Sequence, residues 1–185
     1  MSYKTVEIDT NAFDVEIPTP LLEVPKVTIE DTNAFEAWKK SNVIQQKQAG
    51  YVAIGIKVYL GDFYTDKARA LADLIKNYAA NELRFSLRQN IIIRHVKEEN
   101  LPFFYQELAK LDFVATGYDS IADITACPGT DTCNLGIASS TGIAAELERV
   151  LETEYPQYAN NKEIDIKISG CMNACGQHSM AQIGF

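Results

Sequence analysis

Residues 51–96 read YVAIGIKVYLGDFYTDKARALADLIKNYAANELRFSLRQNIIIRHV. The opening YVAIGIKVYL (51–60) is rich in β-branched and aromatic residues and partly alternates, which predicts a strand. GDFYTD turns the chain, with Thr65 or Asp66 as the expected N-cap. Ala68, Leu71, Ala72, Ile75 and Ala79 then recur at helical spacing over 67–80. LRFSLRQNIIIRHV (83–96) returns to strand, in two arms divided near Gln89 and Asn90.

Downstream, residues 99–110 set Leu101, Tyr105, Leu108 and Ala109 on one face of a second helix. The order strand, helix, two strands, helix resembles a ferredoxin-like half domain, an α+β arrangement. Upstream, TNAFEAWKKS (32–41) predicts a short helix carrying Phe35 and Trp38 at i, i+3. Residues 1–30 contain Pro18, Pro20 and Pro25 and no apolar period, so they are expected to form an extended arm leaning on a neighbour, or a linker. The organisation expected is an arm and linker over 1–45, the half domain over 46–117 and a second unit over 118–185.

In that second unit IADITA (121–126) predicts a short strand running into Cys127. Residues 141–153 predict an amphipathic helix through Ile143, Leu147, Val150 and Leu151, started by Ser140 or Thr141. IDIKIS (164–169) alternates as a strand into Cys171, and SMAQIGF reads as its return strand.

At 185 residues, 46% hydrophobic and 23% charged, the chain suits one well-buried core with a smaller lobe. No apolar run reaches the length of a membrane span, and MSYKTVEIDTNAF lacks the features of a secretory signal, so the expected compartment is the cytoplasm. A net charge of −8 argues against nucleic-acid binding. The charge is uneven. Residues 1–97 hold 13 Lys/Arg against 12 Asp/Glu, whereas 98–185 hold 4 against 13 and contain every cysteine.

The cysteines are spaced Cys127-x5-Cys133, then 37 residues, then Cys171-x3-Cys175. Four thiolates suit zinc or an iron–sulfur cluster. Structural zinc prefers tighter knuckles, and the looser spacing suits a larger object. Each pair follows an apolar strand and is flanked by glycine (Gly129, Gly136, Gly170, Gly176), which lets backbone approach a bulky group. The helix near Thr141 is positioned to aim its N-terminus at a negative centre. Zinc, disulfides in an oxidising setting, and four unrelated buried cysteines are the alternatives. The iron–sulfur reading fits the pattern best.

TACPGTDTCNLGIASSTGIAAELERVL together with IKISGCMNACGQHSMAQIGF resembles the cluster-and-sirohaem signature of the nitrite and sulfite reductases. FEAWKKSNVIQQKQAGYVAI and ELRFSLRQNIII resemble the linker and half domain of the same family, so the similarity covers about residues 32–185. The resemblance implies a ferredoxin-like half domain followed by a partial α/β domain that binds sirohaem and a [4Fe–4S] cluster. It implies Cys127, Cys133, Cys171 and Cys175 as cluster ligands, with Cys175 bridging to the sirohaem iron as the catalytic contact. The activity implied is six-electron reduction of sulfite to sulfide or nitrite to ammonia, with electrons from ferredoxin or a flavoprotein. The chain resembles the C-terminal half of a large member, without the preceding half or the family's continuation past QIGF, so a partner half or a second copy is expected.

Sirohaem carboxylates and an anionic substrate call for basic side chains. On a strand of period two Arg84, Ser86, Arg88 and Asn90 share a face, which Arg94 joins if the alternation survives the bend, so Arg84 and Arg88 are the candidate carboxylate partners. Asn173 and Gln177 match the motif G-C-x-N-x-C-G-Q, which makes them candidates to hydrogen-bond cluster sulfurs or a sirohaem carboxylate; the alternative, favoured for Asn173, is a loop role in a left-handed conformation. Met172 stands where the family commonly has proline. His178 is a candidate proton donor beside the haem, while His95 carries no motif. Two other functions fit the same residues: a [4Fe–4S] electron-transfer module, and a cofactor-free assembly half.

Overall fold

Alternating apolar residues in the middle of the chain produce the central strands of an antiparallel sheet. The computed structural model describes residues 16–185. In chain order, helix α1 (Thr32–Asn42) leads into β1 (Val43–Gln45) and β2 (Tyr51–Ile56), followed by α2 (Thr65–Tyr78), β3 (Leu83–Phe85), β4 (Ile91–Lys97) and α3 (Leu101–Ala109). The sheet order is β1-β2-β4-β3, with every neighbouring pair antiparallel. The class is α+β and the strand–helix–strand–strand–helix order is that of the ferredoxin-like half domain. β1 extends the sheet back to Val43, because its three residues pair with Val52–Ile54 although they are too few to show a period.

One face of this sheet carries the main core. Val52, Ile54 and Ile56 of β2, with Ile91, Ile93 and Val96 of β4, pack against Trp38, Leu71, Ile75, Leu101, Phe104 and Leu108 from the three helices. The step from Ile93 to Val96 breaks the period of two. A bulge lies there, opposite Val52–Ile54, with His95 at φ +57°, so its extra residue returns Val96 to the core face. This accounts for His95 structurally.

Several expectations need correction. The segment from residue 16 to 30 makes contacts within its own chain. Val24, Val27 and Ile29 pack on the core of the same chain, Leu22 N–H donates to Asn77 O, and Gln106 donates to Thr28 O. The part of the expected arm before residue 16 lies outside the described residues. The N-cap of α2 is Tyr64, not Thr65 or Asp66.

The second unit is a three-stranded sheet of order β5-β6-β7, built from β5 (Thr125–Ala126), β6 (Ile166–Ile168) and β7 (Ile183–Gly184), with α4 (Ser140–Thr153) packed on it. Both strand pairs are parallel. The final segment is therefore not a return strand: residues 169–182 carry the chain back across the sheet before it pairs again. On α4 the buried face runs through Ala144, Leu147, Glu148 and Leu151, while Ile143 faces outward. The expected face rotates because Glu148 has partners inside: Lys57 Nζ at 3.3 Å and the Ile124 N–H at 3.0 Å.

Side chains of the half domain hold the two units together. Lys57 Nζ donates to Ala122 O at 2.7 Å, and Asn90 donates to Asp123 at 2.6 Å. Tyr118 lies flat on Gly55, where an added Cβ would sit 2.6 Å from the ring.

Candidate functional site

β5 and β6 are adjacent and parallel, so both cysteine pairs leave from the same end of the sheet, beyond its strands' carboxyl ends. Ligand sites of α/β sheets favour that position. Cys127 follows Ala126 directly, and its N–H donates to Ile168 O at 3.1 Å. Gly170 then joins the two loops. Its N–H donates to Cys127 Sγ at 3.1 Å, and its carbonyl accepts from Ile137 and Ala138 at 2.9 and 3.1 Å. A Cβ on Gly170 would sit 2.6 Å from Gly129 Cα, so the backbones meet only because both residues are glycine.

Cys127 is 8% exposed and lies at the start of α4. The Ser140 hydroxyl is 3.4 Å from its sulfur and donates to its carbonyl at 2.6 Å. Burial acts to raise the Cys127 thiol, but Ser140 and the N–H groups of Gly170 and Gly129 outweigh it and hold the thiol below its ordinary value. The pocket thus eases ionisation of this thiol. Exposure rises around the site: Cys133 and Cys171 are half-buried and Cys175 is exposed. All four are free thiols. Among the described residues no three His, Cys, Asp or Glu side chains converge on a single-ion site. Met172, at 95% exposed, with Leu135, Ile137 and Met180, forms an apolar rim on these loops.

The donor set fits a thiolate-ligated cluster. Free thiols, N–H groups aimed at sulfur and a glycine cradle that a Cβ would fill are what such a group requires. Cys127, Cys133, Cys171 and Cys175 are the candidates to hold it.

The second loop differs from expectation in detail. Its left-handed residues are Ala174 (φ +55°) and Gln177 (φ +61°), not Asn173, which is exposed. Gln177 Oε1 accepts from Lys167 Nζ at 2.8 Å. His178 is half-buried, with Nδ1 buried and unpartnered.

The arginines do not share one face. The strand breaks into a turn at 86–90, so Arg84 and Arg94 stay on the sheet while Arg88 swings to the second unit. Arg84 and Arg94 both pair with Glu82. Arg88 pairs with Asp119 at 2.7 Å and Asp165 at 3.7 Å. Asn90 is fully buried, accepting the Val58 N–H and donating to Asp123 at 2.6 Å.

Gln89 was not singled out by its sequence context. Its Nε2 donates to Ala126 O at 2.8 Å and its Oε1 accepts the Ala126 N–H at 3.0 Å. The amide therefore caps the free edge of β5 next to Cys127. The only signal available was an amide pair, Gln89-Asn90, at a strand break.

Residues 44–111 match the family described as the nitrite/sulfite reductase ferredoxin-like half domain. Over 150 residues the chain is 29% identical to a ferredoxin–nitrite reductase of Synechococcus elongatus, covering 80% of this chain and 29% of that protein. It is 27% identical over 146 residues to a ferredoxin sulfite reductase of Mycobacterium tuberculosis, covering 77% and 26% respectively. The solved structure of Mycobacterium tuberculosis NirA aligns with a TM-score of 0.58 at 26% identity, over 75% of this chain and 26% of that one. The chain thus spans under a third of the length of these relatives. Residues 44–111 thus belong to the nitrite/sulfite reductase ferredoxin-like half-domain family, and similarity to a nitrite reductase of Spinacia oleracea, 26% identical, extends over 97% of the chain.

Proposed function

We propose that residues 118–185 hold a [4Fe–4S] cluster on Cys127, Cys133, Cys171 and Cys175 and present Cys175 to sirohaem, with 46–117 as the supporting half domain. The observation that carries this reading is the joining of both cysteine loops at Gly170, with Cys127 in a pocket that eases its ionisation and Cys175 exposed. When bound, the coupled groups would supply electrons for the six-electron reduction of nitrite to ammonia or sulfite to sulfide. Ferredoxin, the donor in the relatives' names, is the proposed electron source, and the cytoplasm the proposed compartment.

The chain's own residues have distinct parts in this scheme. Ser140 and the Gly170 N–H favour the anionic form of Cys127. Gln177 and Asn173 border the exposed thiol of Cys175. Arg84, with a side chain 61% exposed, shares Glu82 with Arg94, so this pair carries a net positive charge available to a carboxylate. Arg88 is committed to Asp119 and Asp165, so its part is to tie the units together. Further cationic groups for sirohaem and substrate would come from a partner half.

Anaerobic purification after co-expression with sirohaem synthesis tests the reading. Chlorin-type absorption together with iron and acid-labile sulfide supports it. Iron and sulfide without chlorin bands would leave an electron-transfer module, and absence of all three would overturn it.

A further inference from the structure

Lys167 is a buried cation without an anionic partner. Beyond residue 117 the other basic side chains, Arg149 and Lys162, are exposed, whereas Lys167 is 7% exposed. It lies on β6 directly opposite Thr125 of β5 and Gly184 of β7. Ile166 and Ile168 pack toward α4, so the period of two turns Lys167 to the opposite face. The loop after Cys171 covers that face: a Cβ on Gly184 would strike the His178 carbonyl. Lys167 Nζ donates to Gln177 Oε1 at 2.8 Å, and among the described residues no carboxylate lies within ion-pair distance of it. Nearby, Thr125 Oγ1 and His178 Nδ1 are buried without partners.

Burying a charge against a neutral amide is unfavourable unless a counter-charge is close. Residues 98–185 hold 13 acidic side chains, yet none pairs with Lys167. The loop that covers Lys167 is one place from which the balancing charge can come.

We infer that Lys167 is the counter-charge of the anionic centre held by Cys171 and Cys175, acting through the loop to make that centre easier to reduce. The inference rests on the iron–sulfur reading above. A cluster bound by four thiolates is anionic, and each electron it accepts adds a negative charge. A largely buried cation tied to the loop of such a group would stabilise its reduced form more than its oxidised one. Gln177, two residues after Cys175, links the loop backbone to that cation. Lys167 touches neither substrate nor the reacting atoms, so it is a tuning residue, not a catalytic one.

The test uses the full chain carrying Lys167→Met or Lys167→Arg. In the metal-free protein Lys167→Met removes an unbalanced charge, so the melting temperature should hold or rise. A fall there, restored by Arg, would reveal a hidden partner and overturn the inference. In the reconstituted protein, iron and sulfide content should match the unsubstituted chain. The cluster midpoint potential, read by redox titration with EPR detection, should be more negative in Lys167→Met and close to unsubstituted in Lys167→Arg. An unchanged potential in Lys167→Met overturns the inference alone. Failure of the unsubstituted chain to hold any cluster overturns the iron–sulfur reading and the inference with it.

Discussion

The side-chain amide of Gln89 pairs with both backbone groups of Ala126, 37 residues away, in the manner of a neighbouring strand. Ala126 is the last residue of β5 and immediately precedes Cys127. The hairpin between β3 and β4 thereby closes the edge of the short strand that delivers the first cysteine. With Asn90 on Asp123 and Lys57 on Ala122 O, the half domain grips the segment leading to that thiol.

Gln89→Leu removes both bonds and leaves the buried Ala126 N–H and C=O unpaired, at a cost of about 2–4 kcal/mol. Gln89→Gly also removes the amide but relaxes the left-handed backbone at φ +64°, so its loss should be smaller. In both variants alkylation of Cys127, followed by peptide mass spectrometry, should accelerate more than that of the other thiols. Unchanged labelling of Cys127 would mean that the amide does not position it.

Gly170→Ala should force the two cysteine loops apart. Its Cβ would lie 2.6 Å from Gly129 Cα and 2.8 Å from Ala138 O, backbone atoms that cannot turn aside, so the expected loss is about 1–3 kcal/mol. Gly142→Ala, in the first turn of α4, where the Cβ presses on the rotatable Ser139 side chain, should instead cost much less than Gly170→Ala. Urea denaturation of both variants checks the contrast. Equal effects would remove the special role given to Gly170.

Lys57 and Glu148 form a buried pair between the two units at 3.3 Å. Lys57→Met strands the Glu148 carboxylate and should cost about 3–5 kcal/mol. The double variant with Glu148→Gln keeps an acceptor for Ile124 N–H without the charge and should recover part of that loss. A double-mutant cycle of unfolding free energies decides, and a double variant as unstable as the sum of the singles would deny the coupling.

Burial pushes the Asp123 carboxyl above its usual range, against hydrogen bonds from Asp119 N–H and Asn90. Its folded state therefore holds the proton more tightly than its unfolded state. The stability it contributes is fully present below the ordinary carboxylate value of about 4 and is lost as pH rises through the raised value. Glu148 is shifted in the same direction by burial. Asp123→Asn should flatten this decline in unfolding free energy above about pH 4 without abolishing it. An identical pH profile would contradict the assignment.

Much of the fold could be read from local pattern, because α1, β2, α2, β4 and α3 each bury one face of a regular element. What could not be read depends on contacts distant in sequence. β1 is a strand only by virtue of its partner, and the parallel pairing of β7 is set by β6 and the loop before it. Glu148 reads as a solvent position on its helix until Lys57 is brought to it across 91 residues. The cysteine spacing and its glycines pointed to a candidate site, whereas the arginine face assumed a continuous strand, and the turn at 86–90 sent Arg88 to Asp119 and Asp165 instead.

Iron and acid-labile sulfide per chain, measured after anaerobic reconstitution of the unsubstituted protein and of Cys127→Ser, Cys133→Ser, Cys171→Ser and Cys175→Ser, test the central claim most directly. The account predicts about four of each in the unsubstituted chain, with loss or conversion of the cluster in every variant. An iron-free chain, or one whose iron and sulfide are indifferent to these substitutions, would contradict it.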